Sequence, residues 1–165
     1  MQNKKIIAGA SLALVTLFGC VLLAEPATDV DKVFVGKVSQ GGMYEVEASK
    51  LATQRASAQD VKDIAATEVH DHDLVNAKLK KIAEDAGVSV ADKLNDSFKD
   101  RLDKLKRASD SDFDAAYIKD MKQIHDKDEK LFAQEAVDGS GDFKAFAHET
   151  DMIVKCHIGA LHGAD

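Results

Sequence analysis

From Glu25 onward, apolar residues recur every third or fourth position, the spacing of helices that bury one face. No stretch alternates apolar and polar residues as a half-buried strand would. A first helix is expected over about Asp29–Ala56, with Val30, Phe34, Val38, Ala48 and Ala52 on one stripe. Gly41-Gly42 interrupts that stripe, and each mid-helix glycine costs about 1 kcal/mol relative to alanine, so a kink or a close helix contact is expected there. Ser57-Ala58-Gln59-Asp60 reads as a serine-capped helix start, and a second helix follows to Ala86, where Gly87 stops it. Its seam, Val61, Ala65, Glu68, His72, Val75, Leu79, Ile82 and Ala86, alternates steps of four and three, as in a helix packed at a shallow angle. The charged segment Asp92–Arg107, with its stripe of Leu94, Phe98, Leu102 and Leu105, reads as an amphipathic crossover helix.

Ser109–Asp112 is the start signal for a further helix over about Phe113–Val137, whose core side carries Phe113, Tyr117, Met121, Ile124, Leu131 and Phe132. After the break at Asp138-Gly139-Ser140-Gly141, a last helix is expected over about Asp142–His162, with Phe143, Ala147, Val154, His157 and Leu161 on one side. Four long helices with two short links and one long one predict an all-α fold. The expected architecture is an antiparallel four-helix bundle with the amphipathic crossover helix between its second and third bundle helices. A bundle of about 140 residues buries roughly two thirds of its unfolded surface and needs no disulfide or metal to fold.

The amino terminus has a different character. Lys4 and Lys5 precede Ile6–Ala24, a stretch of 19 residues without a charge, which reads as a signal peptide or an amino-terminal membrane anchor over residues 1–24. Cleavage after Ala24, lipid attachment at Cys20 in Leu17-Phe18-Gly19-Cys20, and retention as an uncleaved helix are the three alternatives. All three place the remainder outside the cytoplasm, in the periplasm or at the outer membrane. The expected organisation is this segment, a linker over 25–28, and the bundle domain over 29–165.

Net charge narrows the partners. The 165 residues carry a formal charge of −7, and without Lys4 and Lys5 the remainder is near −9, so nucleic acid is not an expected partner. Attachment to a membrane would run through the amino-terminal segment, and an envelope protein or a second copy of the chain remain as other partners. Two cysteines form no disulfide framework, and Cys156 would be the lone thiol of the exported domain. No phosphate-binding glycine loop, nucleophile elbow or catalytic triad spacing is present.

The informative feature is polar residues on core stripes. Glu68 and His72 lie four apart on the seam of the second helix, Glu45 falls on the stripe of the first, and His157 shares a face with Val154 and Leu161. His125 lies one residue past the Ile124 seam position. An unpaired carboxylate in such a core costs several kcal/mol, so these groups must pair with one another or bind a cation. The plainer reading is a structural network that locks helix register in a non-catalytic envelope protein. The other is a mononuclear metal site with His72, His125 and His157 as ligands, Glu45 as the carboxylate, and Glu68 or Asp71 as a ligand or supporting partner. Zinc, iron or copper would suit such donors better than calcium. In His70-Asp71-His72-Asp73 only one or two side chains can converge, because neighbours on a helix point in different directions.

Gly41-Gly42-Met43-Tyr44-Glu45-Val46-Glu47, Val61-Lys62, Asp71-His72, Phe113-Asp114-Ala115-Ala116-Tyr117, His125, Phe143-Lys144-Ala145-Phe146-Ala147 and His157 occur in an order that resembles a known family. It is similar to the exported bacterial proteins of domain-of-unknown-function family four-one-four-two, labelled as outer-membrane proteins and grouped with ferritin-like folds. The resemblance spans about Val33 to Leu161. It implies a ferritin-like bundle in the cell envelope without an established activity, and marks Glu45, Asp71, His72, Tyr117, His125 and His157 as family positions. Ferritin-like di-iron enzymes place a glutamate and a histidine three apart on each of two helices, and this chain has neither copy. A ferroxidase or oxygenase is therefore not expected, and a non-catalytic role is expected ahead of an enzymatic one.

Overall fold

The computed structural model describes residues 26–164, so the expected export segment and Cys20 lie outside the described residues. Five helices follow in order: α1 (Asp29–Arg55), α2 (Gln59–Asp85), α3 (Asp96–Lys106), α4 (Phe113–Asp138) and α5 (Gly141–Gly163). Among the described residues there is no strand, and no helix is long and apolar enough to cross a membrane. The long helices pack as a bundle, α1 against α2 and α4, and α5 against α4 and α2, while α3 lies on α1 and α4.

The helix ends follow from local chemistry, with some exchanges of partner. Thr28 and Asp31 form a capping box at the start of α1. Asp31 is fully buried and also accepts from the backbone N–H (2.9 Å) and hydroxyl (2.6 Å) of Ser140, which ties the start of α1 to the start of α5. The serine cap expected at Ser57 is not formed. Ala58 is the cap residue of α2, and the Asp114 carboxylate of α4 instead accepts from the N–H groups of Ser57 (3.0 Å) and Ala58 (2.8 Å).

Gly87, with φ of 69°, closes α2, and Val88 N–H donates to the Ala83 carbonyl at 2.7 Å. The crossover helix begins at Asp96, four residues later than the charge pattern predicts. The Gln40 side chain occupies the preceding backbone, donating to the Lys93 carbonyl (2.9 Å) and accepting from Asn95 N–H (2.8 Å). Asn95 then caps α3 through Phe98 N–H.

α1 continues through Gly41-Gly42 without a break. Gly42 is accounted for by proximity, since a Cβ there would run into the Asn76 side chain of α2. The core divides into two apolar clusters. One gathers Tyr44, Ala48, Val61, Ala65, Leu105, Phe113, Met121 and Leu161, and the other Phe34, Val38, Val75, Leu79, Phe132, Phe146 and Val154. Val30, placed on the core stripe by its spacing, is exposed instead. It stands in the first turn of α1, where Asp31, bonded to Ser140, takes the buried position beside it. Ile82 and Leu131 are half-buried flanks of the second cluster rather than members of its interior, and Ala83 takes the inward position near Ile82.

Candidate metal centre

On α2, α4 and α5 the polar seam positions fall between the residues of one apolar cluster and those of the other, and on α1 Glu45 directly follows Tyr44 at the near edge of the first cluster. Glu45 lies between Val38 and Ala48, Glu68 and His72 between Ala65 and Val75, His125 between Ile124 and Phe132, and His157 between Val154 and Leu161. The four helices therefore bring these side chains to one level inside the bundle. Glu45, Glu68, His72, His125 and His157 are all buried, His125 completely.

Glu68 stands at the centre. Its Oε2 lies 3.0 Å from His72 Nε2, 3.3 Å from His125 Nε2 and 3.1 Å from His157 Nδ1. His125 Nε2 and His157 Nδ1 are 3.2 Å apart. One ligand atom from each of these four residues lies within 4.8 Å of the others. Close as they are, neither Glu68 oxygen accepts an aligned hydrogen bond, and His72 Nε2 has no aligned partner either. Within the group only the two rings His125 and His157 are hydrogen-bonded to each other, while the Glu68 oxygens and His72 Nε2 face the same space without an aligned partner. Metal–ligand bonds near 2.05 Å in a tetrahedron separate neighbouring donors by about 3.3 Å, close to these spacings. A buried glutamate and three histidines in this arrangement can hold a transition-metal ion.

The outward nitrogens of the imidazoles also meet acceptors. His157 Nε2 pairs with Asp71 Oδ2 at 3.0 Å, and His125 Nδ1 with the Met121 carbonyl at 3.0 Å. His72 Nδ1 lies 3.5 Å from Glu45 Oε2, and Glu45 Oε1 lies 3.6 Å from His125 Nδ1. Such outer contacts fix the tautomer and orientation of an imidazole and leave its other nitrogen free to ligate.

Electrostatics bind the group together. Burial alone would raise the Glu68 pKa, but the His125, His157 and His72 rings around it hold the carboxyl well below the usual range. Burial opposes a charged His125, yet the Glu45 charge and the Glu68 contact prevail and hold it at about 10. The pKa values of His72 and His157 are raised in the same way, His72 by Glu45 and Glu68, His157 by Glu68 and Asp71. Metal-free, the site therefore favours a protonated His125 beside the Glu68 carboxylate, with His157 Nδ1 accepting from the His125 ring, and a cation would take the place of such protons.

Of the residues singled out by spacing, Glu68, His72, His125 and His157 form the inner cluster. Glu45 lies behind His72 and His125, and Asp71 behind His157 at the partly exposed edge. Glu68, rather than Glu45, is thus the central carboxylate. Tyr117 is not within this cluster: its hydroxyl meets Ser49 Oγ at 2.9 Å, and burial pushes its pKa up. His70, His148 and His162 are exposed, as is the Cys156 thiol.

Spacing missed Asp128. It is buried and hydrogen-bonded to Glu45, and burial and the Glu45 charge push its pKa well above the usual carboxylate range. Its signal was present, because Asp128 stands seven residues after Met121 on the core side of α4.

No curated protein matches the chain. Among solved structures, the chain is similar to a crystal structure of a DUF305 fragment from Deinococcus radiodurans, at a TM-score of 0.74 and 12% sequence identity. The alignment covers 84% of this chain and 97% of that one, a likeness of fold. The family model described as "Domain of unknown function (DUF4142)" matches residues 22–162, and the chain belongs to that family.

Proposed function

We propose that this protein is an exported, non-catalytic four-helix bundle of ferritin-like type that holds one transition-metal ion through Glu68, His72, His125 and His157. The observation that carries this reading is the approach of three imidazole nitrogens to one buried carboxylate oxygen at 3.0–3.3 Å, with no aligned hydrogen bond to it. Four protein donors complete a tetrahedral shell. A closed shell of this kind suits sequestration or structural binding better than catalysis, which keeps one position open. Zinc, copper and iron are the candidate ions by donor chemistry.

In this reading Asp71 orients His157, the Met121 carbonyl orients His125, and Glu45, sharing a hydrogen bond with Asp128, supports His72. The antiparallel arrangement is supported by the order in which each helix visits the two apolar clusters. α1 and α5 run from the Phe34 cluster to the Tyr44 cluster, and α2 and α4 run the opposite way. α3 then belongs to the long connection between the second and third bundle helices. Export rests on Lys4, Lys5 and the uncharged Ile6–Ala24.

The test is elemental analysis of protein purified from the envelope fraction, with the intact mass recording whether residues 1–24 have been removed. About one equivalent of zinc, copper or iron is expected in the wild type and a small fraction of that in the His72→Ala/His157→Ala variant. Equal metal content in the two proteins would reject the assignment, and recovery only from the cytoplasmic fraction would reject export.

A further inference from the structure

The groove between α3 and α4 lies apart from the buried centre and has a different chemistry. It encloses about 500 Å³, within the range of small-molecule sites. Leu105, Ala108 and Ala116 give it an apolar floor, with Leu105 buried and the two alanines half-buried. Arg101, Lys104, Arg107 and Lys119 stand around that floor.

On a chain of net charge −7, four cations around one groove are a local reversal of sign. The Asp120 carboxylate on the same wall does not compensate them all. It accepts from Arg101 Nε at 2.7 Å and also from the Tyr44 hydroxyl, and its carbonyl accepts from Arg101 Nη2 at 2.8 Å. Arg101 is thereby held in place, its guanidinium 5.0 Å from the centre of the Tyr44 ring. Elsewhere, exposed lysines such as Lys32, Lys78, Lys81, Lys99 and Lys155 each reach a carboxylate. Among the described residues, Lys104, Arg107 and Lys119 have no such partner, although Asp100 lies four residues before Lys104 and Asp103 four before Arg107.

We propose that the α3–α4 groove is a binding site for a single-chain amphipathic anion, whose phosphate or carboxylate head pairs with Lys104, Arg107 and Lys119 while its alkyl chain covers Leu105, Ala108 and Ala116. A bare anion would leave the half-buried Ala108 and Ala116 above Leu105 in water, and a neutral amphiphile would leave the three cations unmatched. The combination calls for both properties in one molecule. Arg101, fixed by Asp120, forms one wall of the site.

The test is calorimetric titration of the full chain with dodecyl phosphate below its micelle concentration, alongside inorganic phosphate and an uncharged dodecyl glycoside. Saturable binding near one equivalent is expected for dodecyl phosphate, with both other probes weaker. Lys104→Glu/Lys119→Glu is expected to weaken it by at least about tenfold, the scale of two reversed ion pairs. Lys37→Glu/Lys130→Glu, which changes the net charge equally at exposed positions outside the groove, should leave the affinity unchanged. Helicity and metal content should match the wild type in both variants. The proposal is overturned if dodecyl phosphate does not saturate, or if either other probe binds as tightly. It is equally overturned if both charge reversals weaken binding alike, or if neither does.

Discussion

Glu68 occupies a position that would be costly without compensation, since both of its oxygens are buried and neither accepts an aligned hydrogen bond. What compensates it is positive charge, carried by imidazolium in the metal-free protein and, in our reading, by a metal ion. The supporting residues act at the same scale. Asp71 touches only the outward nitrogen of His157 and sits at the partly exposed edge of the cluster. Asp71→Asn should therefore preserve the fold while weakening metal affinity about 10- to 100-fold, the usual effect of losing an outer carboxylate partner. Competition titration against a chromogenic chelator measures this directly, and an affinity equal to wild type would mean that Asp71 does not orient the ring.

At the scale of elements, the junction of the start of α1 with the end of α4 and the start of α5 holds a pair of carboxyl groups, Asp31 and Glu135, that makes stability depend on pH. Glu135, buried near the end of α4, is pushed up to about 8 by burial, by its hydrogen bond with Asp31 and by the charge of that residue. Asp31 is driven the other way: burial would raise its pKa, but the bonds from Ser140 and Thr28 hold it well below the usual range. Glu135 thus remains protonated in the folded state while its unfolded counterpart, with an ordinary value of 4.5, has already ionised. Between pH 4.5 and 8 the folded state binds the extra proton, so this group's contribution to stability falls as pH rises through that window. Glu135→Gln mimics the neutral acid and removes the dependence. Its melting temperature should exceed that of the wild type by about 3 °C or more at pH 8.5, the shift that 1 kcal/mol gives in a domain of this size. The difference should vanish near pH 4.5. A constant difference across the range, read by thermal unfolding followed by circular dichroism, would contradict the account.

For the whole molecule, the four ligands come from α2, α4 and α5, with Glu45 of α1 behind them, so occupying the site resists separation of those three helices. A metal that binds the folded state but not the unfolded one stabilises by about 2.7 kcal/mol when present at a hundred times its dissociation constant. The melting temperature of the full chain should rise with added Zn²⁺ or Cu²⁺. His72→Ala/His157→Ala should lose that response. An equal rise in both proteins would place the metal elsewhere, with the exposed His70, His148, His162 and Cys156 the first places to look.

Much of this was legible in the periodicity. The intervals of three and four located all five helices, because a residue is buried or exposed according to its angular position, and the chain encodes that position directly. Polar residues on apolar stripes marked Glu45, Glu68, His72 and His157 for the same reason. Helix ends were less legible where a distant side chain supplied the partner, as Asp114 does in place of Ser57 and Gln40 does ahead of α3. Spacing along one helix also could not say which carboxylate would be central. Glu45 and Glu68 are equivalent in pattern, and only the packing of α2 against α5, with α4 beside it, puts Glu68 Oε2 among three imidazoles and leaves Glu45 behind them. The sequence alone determined that buried charge would exist on several helices, since the apolar stripes leave those residues no other face. Tertiary structure decided that the charges meet, because distances between helices depend on which ridges interlock, and no single helix records that.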